Sequence, residues 1–178
     1  TNERSFLMVE NLQNNYAFID AQNLYRSLSD GGWKLDYFKF RRYLSKRFGV
    51  KRAIVYIGKH PKYSNMRTML RRAGFILELK EAIPYWDKNG EIQFKANVDI
   101  DLSVGTLGRY YNDYNKAIIV SGDGDYLPLY KYLQEIGKLG EIILPDREHG
   151  SKLIEENGLK PFTVVLTDPS EKAELLIS

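Results

Sequence analysis

The chain has 178 residues, 43% of them hydrophobic, which is enough for one well-packed domain and too many for a disordered polymer. With no cysteine and two histidines, His60 and His149, a disulfide framework and Cys- or His-rich zinc centres are excluded, and oxygen ligands remain for any metal. The net charge of +3 is too small to announce a nucleic-acid binder by itself, no apolar run nears the roughly 18–20 residues of a membrane span, and no signal-peptide pattern opens the sequence; a soluble, cytoplasmic protein is the expectation.

Residues 1–14 have no clear period and read as an N-terminal arm. Tyr16–Asp20 reads as a buried strand. Tyr37, Phe40, Leu44 and Phe48 recur at helical spacing, with Lys39, Arg42 and Lys46 on another face and Gly49 as the stop. Ala53–Ile57 is a second strand. A helix carrying Met66, Met69, Leu70 and Ala73 follows, closed by Gly74, and Phe75–Leu79 is a third strand. Residues 82–95 break the rhythm: Tyr85 and Trp86 precede Asp87-Lys88-Asn89-Gly90, a turn signal that predicts a projecting hairpin or loop. Ile100, Val104, Leu107 and Tyr111 predict a third helix. Ala117–Ser121 is a fourth strand, and the helix after it bears Leu129, Leu133 and Ile136. Glu141–Leu144, a short helix over Lys152–Glu156 and a strand over Phe162–Leu166 complete the series. Strands alternating with helices predict right-handed βαβ units in one three-layer α/β domain over residues 15–166, with a mostly parallel central sheet. Residues 167–178 read as a tail.

Three stretches carry carboxylates: Phe-Ile-Asp20-Ala-Gln-Asn23, Asn-Val-Asp99-Ile-Asp101 and Ile-Ile-Val-Ser121-Gly-Asp123-Gly-Asp125. The first and third place an acid directly after an apolar strand. A parallel sheet gathers its strand C-termini along one edge, so these acids are expected to meet there. Grouped carboxylates repel one another, and oxygen ligands suit a hard divalent ion, Mg²⁺ or Mn²⁺. Each acid also has a plainer reading. Asp20 and Asn23 suit a turn, Asp125 suits a cap before Pro128, and Asp99 and Asp101 suit the first turn of a helix. Spaced two apart, Asp99 and Asp101 are not expected to reach one ion from the same helix.

Between Lys34 and Arg72 stand thirteen Lys and Arg against one acid, Asp36. A basic half beside an acidic cluster fits a polyanion substrate, although any one of these cations also suits a solvated helix face. Tyr63, Tyr85 and Trp86 are expected to be exposed, as base-stacking surfaces would be. There is no P-loop, no GxGxxG fingerprint and no Ser-His-Asp pattern. The Asp-x-Asp of a phosphohydrolase is missing after the first strand, where Ala21-Gln22 follows Asp20.

Taken together, Phe-Ile-Asp20-Ala-Gln-Asn23-Leu-Tyr, Lys95-Ala-Asn-Val-Asp99-Ile-Asp101-Leu and Ser121-Gly-Asp123-Gly-Asp125-Tyr-Leu-Pro-Leu resemble the NYN domain family, a branch of the PIN-like nucleases. The similarity runs from about Tyr16 to Phe162, with Gly150-Ser151-Lys152-Leu153 similar to the start of the family's last helix. The resemblance implies a Rossmann-like PIN fold and divalent-metal-dependent hydrolysis of RNA, single-stranded or structured, with Mg²⁺ or Mn²⁺ as cofactor and a homodimer as one allowed arrangement. It implies Asp20, Asp99, Asp123 and Asp125 as catalytic acids, with Asp101 joining them around the metal. Asn23, Ser121, Lys95, Lys39, Arg42, Lys62 and Arg67 are the expected substrate-binding residues. One departure stands out: many family members carry a further acid where this chain has Gly105. That implies compensation by Asp101, weaker metal binding, or a catalytically inactive RNA-binding module.

Overall fold

The computed structural model describes residues 13–148 and 151–177. Strand β1 (Asn15–Asp20) is buried along its whole length and ends on the first acid. Helix α1 (Ala21–Asp30) follows at once, capped by the Asp20 side chain. A two-residue strand β2 (Lys34–Leu35) leads to α2 (Tyr37–Phe48), which Asp36 caps and Gly49 ends in a left-handed conformation at φ 63°. Next come β3 (Val50–Gly58), α3 (Ser64–Arg72) and β4 (Ile76–Lys80). The hairpin β5 (Ile83–Trp86) and β6 (Ile92–Lys95) precedes α4 (Asp99–Val104), which loosens into a π-helical turn over Gly105–Arg109. The chain continues through β7 (Ala117–Val120), a 3₁₀ turn (Gly124–Tyr126), α5 (Leu127–Glu135), β8 (Leu139–Leu144), α6 (Ser151–Glu156) and β9 (Thr163–Val165). It closes with α7 (Pro169–Leu175) and β10 (Leu176–Ile177).

The central sheet has six parallel strands in the order β4-β3-β1-β7-β8-β9. Side chains alternate along each strand, so each face of β1 feeds a different core. Ala17 and Ile19 pack with Leu24, Leu28, Phe40, Leu44 and Leu70 of α1–α3. Tyr16 and Phe18 pack with Leu102, Leu129, Leu133 and Ile154 of α4–α6 on the other side. This is the three-layer α/β fold with helices on both faces. Strand β1 lies between β3 and β7, so the chain leaves it in both directions. A crevice forms outside the strand ends at such a reversal.

One helix is added and two expectations change. Residues 21–30, to which the sequence reading assigns no element, form α1, because Ala21, Leu24 and Leu28 supply an apolar stripe behind the Asp20 cap. The helix expected to run through Tyr111 ends at Val104, where Gly105 and Gly108 relax the backbone into the π turn. The segment read as a tail carries α7 and β10, and β10 pairs antiparallel with β2. Its Glu171 is buried, accepting bonds from the Tyr43 hydroxyl and the Arg47 guanidinium of α2. Burial pushes the Glu171 carboxyl up, and these two partners outweigh it, leaving the group below its ordinary value. The N-terminal arm, up to residue 12, and the pair His149 and Gly150 lie outside the described residues.

Candidate metal centre

Asp20 ends β1 beside β7, where Ile19 pairs with Val120, so the Asp20 and Ser121 positions emerge side by side at the strand C-termini. Two bonds fix this edge. The Asp20 Oδ1 accepts from the Asn23 N–H at 3.0 Å, and the Asn23 Oδ1 accepts from the Gly122 N–H at 2.7 Å. Asn23 therefore braces the two acid-bearing loops together. Ser121, fully buried, accepts from the Asp123 N–H at 3.1 Å, and the Asp123 Oδ1 accepts from the Asp125 N–H at 3.0 Å. The cap of the 3₁₀ turn is thus Asp123, which leaves the exposed Asp125 carboxylate free to ligate.

Carboxylate oxygens of Asp99, Asp123 and Asp125 all lie within 4.8 Å of one another. Three hard anionic donors at this spacing fit a divalent cation such as Mg²⁺ or Mn²⁺. Asp20 stands behind the trio. It is 5% exposed, and its carboxyl is raised to about 6, first by burial and further by Asp99 and Asp123, with the Asn23 N–H and the Tyr126 hydroxyl opposing.

Asp101 does not join them. Its Oδ2 takes a bond from Lys80 Nζ at 2.7 Å, on the far side of α4 from the cluster, as residues two apart on a helix must diverge. The expected place of Asp101 in the metal set is corrected accordingly: it forms an ion pair at the end of β4.

The other expected residues fall in three places. Lys95 ends β6 at the base of the hairpin, exposed, four residues before Asp99. Lys62 and Arg67 lie beyond the end of β3. The Lys62 ammonium sits 4.9 Å from the Tyr63 ring centre, and Arg67 spends its guanidinium on the Gly58 and His60 carbonyls, at 3.2 and 2.8 Å. Lys39 and Arg42 line a groove with Lys46, Arg47, Ser170, Glu171 and Leu175; the acids of the cluster are not part of its lining. Trp86 and Tyr85 are exposed as expected, at 72% and 48%. Tyr63 is instead partly buried against the core.

Sequence reasoning passed over Tyr126. Its hydroxyl lies 3.2 Å from Asp20 Oδ2 and 3.1 Å from Asp99 Oδ1, with the residue 1% exposed. Burial first, then the two neighbouring carboxylates, pushes the phenol far above its ordinary value, so it stays protonated and can donate. The available signal was its position directly after Asp125 in the third motif. Tyr56 was passed over as a site residue too. It pairs with Asp20 across β1 and β3, and among the described residues its buried hydroxyl has no hydrogen-bond partner.

Comparison with known proteins bears on the fold and the family. No curated protein matches the chain. A crystal structure of a protein of unknown function from Vibrio parahaemolyticus RIMD 2210633 is similar, with 23% identity over 93% of this chain and 96% of that one, and a TM-score of 0.70. At that identity the likeness speaks for the fold. The family model described as NYN domain matches residues 16–157, a span that holds every acid of the cluster together with Asn23 and Tyr126. Over most of its length, therefore, this chain belongs to the NYN domain family.

Proposed function

We propose that this NYN protein is a divalent-metal-dependent ribonuclease that hydrolyses RNA phosphodiester bonds at the crevice beyond β1 and β7. The convergence of Asp99, Asp123 and Asp125 from two separate elements is the observation that carries this reading. The family is one of PIN-like nucleases, which supports a hydrolase in general. Bound at the trio, Mg²⁺ or Mn²⁺ supplies positive charge against the phosphate oxygens and acidifies the attacking water. The chain's own residues set the frame for that chemistry. Ser121 and the Asp125 N–H fix the loop that carries Asp123, and Asn23 holds that loop to α1. Lys95 and the exposed aromatic hairpin are the groups that would meet the RNA strand, with Trp86 and Tyr85 offering faces to unpaired bases.

The Gly105 position favours a second reading, an RNA-binding NYN module with weak or no catalysis. A Cβ built there would lie 1.9 Å from the Tyr56 hydroxyl, so Tyr56 occupies the space that an acid at this position would need. One experiment separates the two. Single-stranded and hairpin RNAs are incubated with the protein in Mn²⁺, in Mg²⁺ and in EDTA, beside Asp123→Asn. The ribonuclease reading expects cleavage that needs the ion and falls about 10²–10³-fold in the variant, the scale on which a lost electrostatic stabiliser acts. Intact RNA in every lane, with salt-sensitive binding retained, transfers the assignment to the binding module.

A further inference from the structure

We propose that Tyr126 is a positioning residue of the acidic centre. Its single hydroxyl ties Asp20 to Asp99, and this holds Asp99 in register with Asp123 and Asp125. The proposal rests on the metal-centre reading above and gives Tyr126, the residue after Asp125 in the third motif, a role that the sequence did not announce.

The geometry is specific. Asp20 belongs to β1, Asp99 to α4, and Tyr126 to the 3₁₀ turn that also carries Asp125. Among the described residues, the Tyr126 hydroxyl is the hydrogen-bond partner of the Asp99 carboxylate. It is also the partner of Asp20 Oδ2, while Oδ1 is taken by the Asn23 N–H. The segment from Ser121 to Tyr126 therefore supplies two ligands through Asp123 and Asp125 and sets the third through Tyr126. Among the described residues no other side-chain hydrogen bond joins α4 to this loop at the cluster, so without the hydroxyl Asp99 is free to turn toward solvent.

A hydroxyl has one hydrogen to give. Both carboxylates lie within reach of it, so at any moment one receives the proton and the other faces a lone pair. A cation on Asp99 relieves that conflict and leaves the hydrogen for Asp20. Tyr126 and a bound cation therefore favour the same arrangement of the two acids, which is the property expected of an outer partner to metal ligands. Phenylalanine could not do this, although it would fill the same core: the ring packs 6.3 Å from that of Tyr130 and needs no hydroxyl for that contact.

The test uses the full chain and Mn²⁺ alone as probe, with affinity read by titration calorimetry or by the paramagnetic signal of free Mn²⁺. Tyr126→Phe is expected to weaken Mn²⁺ binding by about 10–100-fold while its far-UV spectrum and RNA binding in EDTA match the wild type. Tyr114→Phe controls for loss of a buried tyrosine hydroxyl, since that group bonds the Thr106 carbonyl and touches no acid. It is expected to leave Mn²⁺ affinity unchanged. Asp20→Asn should weaken the ion less than Asp123→Asn, and adding it to Tyr126→Phe should cost little more, because the two act as one unit. Equal Mn²⁺ affinity in Tyr126→Phe and wild type overturns the proposal while leaving the metal centre standing. Equal losses in Asp20→Asn and Asp123→Asn would make Asp20 a direct ligand and overturn its placement behind the trio. A wild type that binds no Mn²⁺ removes the metal centre and this role with it.

Discussion

Gly105 lies where any side chain would collide with Tyr56, since a Cβ would stand 1.9 Å from its hydroxyl oxygen and 2.9 Å from the adjoining ring carbon. The glycine is thus a packing requirement of the large residue on β3, which explains a position that helix propensity disfavours by about 1 kcal/mol. The Tyr56 hydroxyl is buried with no hydrogen-bond partner among the described residues, an arrangement that costs roughly 1–3 kcal/mol. Tyr56→Phe is therefore expected to keep or raise stability. Gly105→Ala should destabilise by about 1–3 kcal/mol through overpacking, and by less in the Tyr56→Phe background. Urea melts of the two single variants and the double variant check this; additive losses would show that the two residues do not share one space. Asp20 and Asp123 stood out at this scale because both come at the end of an apolar strand, where a parallel sheet gathers such groups along one edge. Asp101 was not, because only the fold brings Lys80 to it. Tyr126 escaped notice for a different reason: its apolar ring suits a core position, and nothing local shows that its hydroxyl meets two carboxylates from distant segments.

The β5–β6 hairpin forms its own two-stranded sheet and leaves Ile83, Tyr85, Trp86, Ile92 and Phe94 exposed. Its turn is held from within: the Asp87 carboxylate accepts from the Asn89 and Glu91 N–H groups, each at 2.9 Å, and from the Gln93 amide. A stiff arm with bare aromatic faces, joined through Lys95 to the α4 acids, suits unpaired bases. Trp86→Ala is expected to weaken binding of single-stranded RNA by about 5–150-fold, the equivalent of 1–3 kcal/mol for one lost stacking contact. The measurement uses Asp123→Asn protein in EDTA, so cleavage does not intrude, and its melting temperature should not move because Trp86 is 72% exposed. Unchanged RNA affinity would remove the hairpin from the binding surface. The hairpin and the buried strands were readable because Asn-Gly turns and apolar runs are local signals. The pairing of β2 with β10 was not, since each strand has two residues and the contact joins Lys34–Leu35 to Leu176–Ile177 across nearly the whole chain. The docking of α7 through Glu171 escaped for the same reason.

Across the whole molecule, charge is organised by burial as much as by sequence. The cation-rich stretch does not converge on one surface: Lys39 and Arg42 line the groove beside α7, while Lys62 lies beyond the end of β3 over the Tyr63 ring. Among the described residues two carboxyls are displaced upward. Glu141 of β8 is raised to about 7 by burial, with Arg47 opposing, and Asp20 to about 6. An acid whose folded value exceeds its unfolded one binds more protons in the native state. Its contribution to stability is therefore fully present below the unfolded value and is lost as pH rises through the folded value. For Glu141 that window runs from 4.5 to about 7. The paired Glu171 has the opposite sign, its contribution being lost as pH falls, so the total curve mixes the two. A difference measurement separates them. In EDTA, the urea midpoint of the wild type relative to Glu141→Gln should decline steadily as pH rises from about 4.5 to about 7 and level off above. Parallel midpoints across that range would mean that Glu141 ionises as freely in the folded chain as in the unfolded one. Asp20 acts with the same sign in the metal-free chain, and here the cluster supplies a second lever. Mn²⁺ that binds only the folded state raises stability in proportion to RT ln(1 + [Mn²⁺]/Kd), so saturating ion should lift the neutral-pH midpoint in wild type and Glu141→Gln alike, and should not lift it in Asp123→Asn.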